Sequence, residues 1–324
     1  MKKASLLVVI VLLAPVAFGL CLLMGASGIG LPDLGTSMGR AVFSLRLNRV
    51  LAGFLVGAGL SCAGVVLQAL LRNPLAEPYV LGVSSGAGLG AAMAILSGAA
   101  AFSAFVLPLS AFVCAAATLA IVYALARTGG KLSIYSLILS GVVVSSVCSS
   151  LLMFLISMAP VEGMHSVVWW MLGNLEIASN ALFAASALLI LPGVAAIWLM
   201  APELNALTLG HEMAHHVGVR TKVAVTLGLL LATLISAAAV GLAGLIGFVG
   251  LIVPHAMRNL VGANHRRLVP ASALAGGMFL AVSDAAARTL FAPIEIPVGV
   301  VTALIGGPFF MFILHRKKKQ EWVE

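Results

Sequence analysis

From Val223 to Pro254 the chain carries no charged side chain at all. Nothing else in the sequence restricts the fold as severely. Water-soluble domains seldom hold such a run, whereas a bilayer takes one helix per about 20 apolar residues. The run is too long for one crossing and just long enough for two short ones, with the glycines of Gly241–Gly250 near the turn. Apolar runs recur at Leu6–Met24 and at about 50–71, 79–97, 103–126, 132–157, 181–200, 270–290 and 298–314, the 270–290 run carrying Asp284 and Arg288 towards its end. They are too long and too unalternating for barrel strands, so helices must do the spanning. Only 9% of the 324 residues are charged, against about 25% in a soluble domain. The sequence therefore predicts an all-α polytopic membrane protein of about ten transmembrane helices, with 1–324 as a single transmembrane domain.

Met1-Lys2-Lys3 and Leu6–Met24 together resemble a signal peptide. The run is long enough to span, however, and reads as a first helix. Residues 25–48, glycine-rich and holding Asp33, Arg40 and Arg46 with Arg49 adjoining, read as an outer loop. In Gly64–Gly90 an apolar helix runs into Arg72, breaks at Asn73-Pro74, crosses a polar corner with Glu77 and Pro78, and resumes as a second helix. Gly82, Gly86 and Gly90 make a smooth stripe on that helix, where a neighbour can approach backbone to backbone. After the fifth span comes an aqueous segment whose Trp169-Trp170 pair suits a lipid–water interface. Residues 201–222 are the longest polar insert, and Arg258–Arg267 forms a second basic loop. Cys21, Cys62, Cys114 and Cys148 fall inside apolar runs and read as free buried thiols.

With ten crossings, all but four of the 18 Lys and Arg residues lie on the side of the termini. That bias puts both termini in the cytoplasm, so the net charge of +8 reports orientation rather than nucleic-acid binding. The exceptions are Arg40, Arg46, Arg49 and Arg288. Basic groups on the far side either snorkel to lipid phosphates or offer a docking surface to an acidic partner. Asp284 and Arg288, one turn apart, make a local ion pair or belong to something wider.

His211-Glu-Met-Ala-His215 spells the H-E-x-x-H motif of zinc peptidases. A membrane metalloprotease is therefore one reading. Against it, the motif lies in the polar insert, His216 falls off the face, and His255 and His265 lie across two helices. No phosphate-cradling loop is present, since Gly129-Gly-Lys131 lacks the earlier glycine and the following Ser or Thr. Active transport would then draw on a separate ATPase or on an ion gradient. A gradient-coupled secondary carrier is the second alternative, but the apolar runs hold no mid-membrane carboxylate.

Several ordered blocks then match one family. They are Leu45-Arg-Leu-Asn-Arg49, Gln68 with Arg72-Asn-Pro-Leu-Ala-Glu-Pro78, Leu81–Ala87, Trp170-Met-Leu-Gly173, Leu209-Gly210 through Val217-Gly218, Gly247–His255 with Arg258, Asp284 with Arg288, and Glu295–Gly299 with Gly306. From Leu45 to Leu314 the chain resembles the FecCD permeases of ABC importers for ferric siderophores, haem and cobalamin. Asn48 stands where relatives usually carry Pro. The resemblance implies a type II importer fold, in an inner-membrane homodimer with the substrate path on its two-fold axis. It also implies two ATPase subunits below and a periplasmic or lipid-anchored binding protein above. Arg46, Arg49 and Arg288 would dock the binding protein. Asn73 and Leu75, with Ser133, Ile134, Tyr135 and Ser136, would form the cytoplasmic gate. Leu204–Val219 would couple to the ATPase, through Leu209, Gly210, His211, Glu212, Ala214, His215 and Gly218. No cofactor, no metal and no catalytic residue is implied. The cargo would be an iron or cobalt chelate, carried by alternating access.

Overall fold

A computed structural model describes residues 2–26, 28–128, 131–132 and 134–321. In chain order the α-helices are α1 Lys2–Leu23, α2 Ser37–Leu70, α3 Val83–Leu96, α4 Val106–Leu125, α5 Ile134–Ser157, α6 Val161–Met171, α7 Asn180–Leu199, α8 Ala201–Thr208, α9 His211–His216, α10 Thr221–Ala243, α11 Val249–Val261, α12 His265–Thr289 and α13 Val298–Glu321. Among the described residues, seven helices are long and apolar enough to cross a membrane: α1, α2, α4, α5, α7, α10 and α12. Shorter apolar stretches lie in α3 and α13. The basic turn after α4 closes as a two-residue antiparallel pair, Arg127–Thr128 with Lys131–Leu132.

The mast of the bundle is α2, whose 34 residues run for about 50 Å. It begins well before the expected span, inside the stretch read as an outer loop. Thr36 caps it, its hydroxyl accepting from Gly39 N at 3.0 Å. The helix absorbs Arg46 and Arg49 because their charges find partners within the protein, described below. Around α2 pack α7, α10, α11 and α12. Lipid tails are as apolar as leucine, so such contacts rest on close packing rather than on the hydrophobic effect. Two approaches are backbone to backbone: Gly57 lies on the Gly276 carbonyl of α12, and Gly64 on the Gly250 carbonyl of α11. A Cβ at either glycine would strike that carbonyl. Fully buried Leu67, Ile190, Ile197, Ile235, Leu268 and Leu280 fill the remaining space.

The Gly82–Gly90 stripe meets α4, as its spacing suggests. Gly86 sits against Thr118 and the Cys114 carbonyl, and Gly90 against the Ser110 carbonyl. The segment expected to be aqueous instead contains α6, an 11-residue helix folded against α3. Val167 of α6 is buried with Ala92 and Leu152. Trp169 and Trp170 close this helix, and the Trp170 carbonyl packs on Gly244. The uncharged run does split in two, but unequally. α10 takes 23 residues, and α11 continues to Val261, drawing Arg258 into its last turn. The supposed basic loop shrinks because Arg258 Nη2 donates to Gln68 Oε1 of α2 at 3.2 Å.

Candidate functional site

Two polar assemblies lie at opposite ends of α2, with a helix break between them. At its first third, α2 points Arg49 toward α12 and the segment after it. Arg49 Nη2 contacts Asp284 Oδ1 at 2.8 Å, and Nη1 contacts Glu295 Oε2 at 2.6 Å. Arg288 Nε lies 2.8 Å from the other Asp284 oxygen, an ion pair not aligned as a hydrogen bond. Asp284 is therefore shared by two arginines. Arg288 Nη1 also donates to the Met24 carbonyl at 3.0 Å. Arg46 donates to four carbonyls at the end of α1 and in the connection to α2: Leu22 at 3.4 Å, Leu23 at 3.1 Å, Gly28 at 2.9 Å and Gly30 at 2.7 Å. Arg46 and Arg288 are only 5% and 2% exposed, so neither stands free on the surface. The cluster floors an open cleft of about 400 Å³, lined also by Leu45, Glu176 and Glu295. The Glu295 side chain is 40% exposed and forms the accessible edge of the network.

The break between α10 and α11 runs through Gly244 (φ 72°) to Phe248 (φ 69°). Non-helical backbone at membrane depth needs partners from the protein. Tyr79 supplies two, its hydroxyl donating to the Ile246 carbonyl and accepting from Ile246 N, both at 2.9 Å. Glu77 Oε2 accepts from Phe248 N at 3.3 Å, at the start of α11. Asn174 N donates to the Ala243 carbonyl at 2.8 Å. The corner after α2 thus holds the break in place.

At the far end, α8 packs on α2 and α12. Asn205 of α8 accepts from His265 N at 2.9 Å, fixing the insert to the head of α12. Ala214 anchors α9 from its buried face, while Leu209, Met213 and Val217 are exposed at one-turn spacing. Arg72, closing α2 with a left-handed φ of 47°, reaches Gly210 at the head of α9. α5 presents an open face of Leu139, Val142, Ser146, Ser150 and Met153. The Ser146 and Ser150 hydroxyls donate to carbonyls one turn back, at 3.0 and 2.9 Å, so this face offers few free polar groups.

Residues 7–316 match the FecCD transport family. The chain belongs to that family. It is a multi-pass transport permease, and not an enzyme in its own right. The hemin transport system permease protein HmuU of Yersinia pestis is 38% identical over 287 residues, covering 86% of this chain and 84% of that one. The cobalamin import system permease protein BtuC of Halobacterium salinarum is 41% identical over 279 residues, covering 86% and 74%. A solved inward-facing metal-chelate type ABC transporter superposes with a TM-score of 0.88 at 32% identity, covering 97% of this chain and 99% of that one.

Within this FecCD chain the structure brings Arg46, Arg49 and Arg288 together around one cleft, but engages them with internal partners. Asn73 Oδ1 accepts from Leu75 N at 3.0 Å, making a tight turn at the corner. Tyr135 is exposed at the start of α5. Ser133 lies outside the described residues, and Ile134 opens α5. Leu209, Gly210, His211, Glu212, Ala214, His215 and Gly218 fall on α9 and its flanks, where Gly210 (φ 116°) and Gly218 (φ 86°) make the two turns. The H-E-x-x-H residues thus sit on a six-residue helix, and no cluster of three His, Cys, Asp or Glu able to hold a metal occurs among the described residues. Tyr79, Glu77 and Glu295 gained no role from the sequence. Glu77 and Glu295 do stand inside family-matching blocks, and an acidic residue in so apolar a chain is itself a signal.

Proposed function

We propose that this chain is the membrane permease of an ABC importer for a metal chelate, working by alternating access as a homodimer with two ATPase subunits and a substrate-binding protein. The observation that carries the reading is the superposition, over nearly its whole length, on a metal-chelate type ABC transporter in an inward-facing state. Relatives named for hemin and for cobalamin are about equally similar, so the cargo is assigned as a class: an iron or cobalt chelate. The chain acts as one permease domain over 1–324, in the inner membrane with both termini cytoplasmic. The basic bias then places the 201–222 insert inside and the Arg49 cluster outside.

The insert is assigned to ATPase coupling. Leu209, Met213 and Val217 form an exposed apolar ridge on a polar side of the protein, which asks for a protein partner. His211, Glu212 and His215 would then flank that contact rather than bind zinc. Asn73 and Leu75, at the corner that clasps the helix break, are assigned to the inner gate together with Ser133, Ile134, Tyr135 and Ser136. The outer cleft is assigned to the binding protein. An incoming carboxylate would exchange with Glu295 on Arg49, while Arg46 and Arg288 hold the floor. The open face of α5 suits the path, since weak contacts do not trap a bulky load.

The test is reconstitution of the permease, its ATPase and its binding protein in proteoliposomes, with a hydroxamate ferric siderophore, cobalamin and haem offered separately. ATP-dependent uptake of one of them is expected. Uptake by the isolated permease, or peptide cleavage by it, would overturn the reading. In the same assay Arg49→Glu should abolish uptake, with the variant's unfolding midpoint and ATPase co-purification separating lost docking from loss of the ion cluster.

A further inference from the structure

α4 and α10 pack antiparallel. Gly241 meets the Pro108 carbonyl at one end, and Tyr123 Oη bonds Thr226 Oγ1 at 2.8 Å at the end nearer the α8–α9 insert. Between those contacts lies an apolar groove of about 290 Å³, lined by Phe112, Ala116, Ala120, Leu230 and Thr233 among others. Ala120 and Leu230 are exposed, so the groove opens outward from the bundle. Two features specify its occupant. The first is length. From Phe112 to Tyr123 the helix rises about 16 Å, which matches one leaflet, half of a hydrocarbon core about 30 Å thick.

The second is charge. The exposed guanidinium of Arg127 stacks over the Tyr123 ring at 4.8 Å, beside the Tyr123–Thr226 bond. Lys222, exposed, stands one turn before Thr226 on the same face of α10. Acidic side chains do not oppose these cations from either helix: no Asp or Glu occurs from 78 to 161 or from 213 to 283. A second groove of about 160 Å³ continues beyond Phe112, lined by Pro108, Leu109, Leu182 and Ala185, with no basic group in its lining. We propose that the α4–α10 groove is a binding site for an anionic phospholipid of the leaflet on the insert side. One acyl chain would lie along Ala116 and Ala120 as far as Phe112, and the phosphate would sit between Arg127 and Lys222.

The test uses the full-length permease purified in mild detergent, with equal amounts of dioleoyl phosphatidylglycerol and dioleoyl phosphatidylcholine, read by native mass spectrometry. Retained phosphatidylglycerol should exceed phosphatidylcholine by about tenfold, the scale expected for one or two basic residues. Ala116→Phe fills the groove and should remove one retained phosphatidylglycerol per subunit. Arg127→Gln with Lys222→Gln should keep a bound lipid but bring the two headgroups to parity. Ala185→Phe, in the neighbouring groove, should change neither result. If Ala116→Phe does not purify, Ala120→Phe on the open side gives the same reading. The proposal is overturned if the filled groove retains as much phosphatidylglycerol as the parent, or if the headgroup preference survives loss of both cations.

Discussion

Asp284 holds two arginines from two directions, which makes it the least replaceable charge in this cluster. Removing one partner of a buried ion cluster leaves an uncompensated charge, at a cost of about 3–5 kcal/mol. Asp284→Asn should therefore lower the thermal unfolding midpoint of the purified protein markedly. Adding Arg288→Met removes the stranded cation and should restore much of the loss; a double variant no more stable than the single one would refute this picture. Glu295→Gln, at the accessible edge, should leave the midpoint nearly unchanged, since part-exposed pairs contribute about 0–1 kcal/mol. The same residues mark what the sequence could convey. Arg46 and Arg49 look like loop residues because a charge in an apolar chain is expected to seek water. Their partners lie elsewhere in the chain, at 22–30, 284 and 295, and no local pattern announces them.

Among elements, the break between α10 and α11 depends most on a distant side chain. Tyr79→Phe deletes the hydroxyl that serves both backbone groups of Ile246. An unsatisfied buried group costs about 1–3 kcal/mol. Faster amide hydrogen exchange confined to 244–248 is therefore expected, and unchanged exchange there would show that the break is held by other means. Helix positions were largely legible, because an uncharged run has few options in lipid. The glycine-rich interruption at Gly241–Gly250 was legible too, as was the meeting of the Gly82–Gly90 stripe with another helix. The fold-back of α6 was not. Its Glu162, His165 and Ser166 occupy the exposed side of a short helix whose other side buries Val167. Nor did the run-on of α11 show in the sequence, since Arg258 is paid for by Gln68, a residue 190 positions away.

On the scale of the whole molecule, the end carrying α8 and α9 presents an apolar ridge where the chain is otherwise polar. Replacing Leu209, Met213 and Val217 together by Ser should abolish co-purification of the ATPase while leaving the permease's own unfolding midpoint in place, because none of the three is buried. Retained assembly would assign coupling to another surface. The two ends are not independent, since α2 carries Arg49 near its start and delivers Arg72 to Gly210 at its finish. As one continuous helix about 50 Å long with no proline in it, α2 can carry a displacement along its length. Tilting its top must swing its foot, so a shift of a few ångströms at the Arg49 cluster would be felt at the Arg72 end by simple leverage, without a relay of side chains.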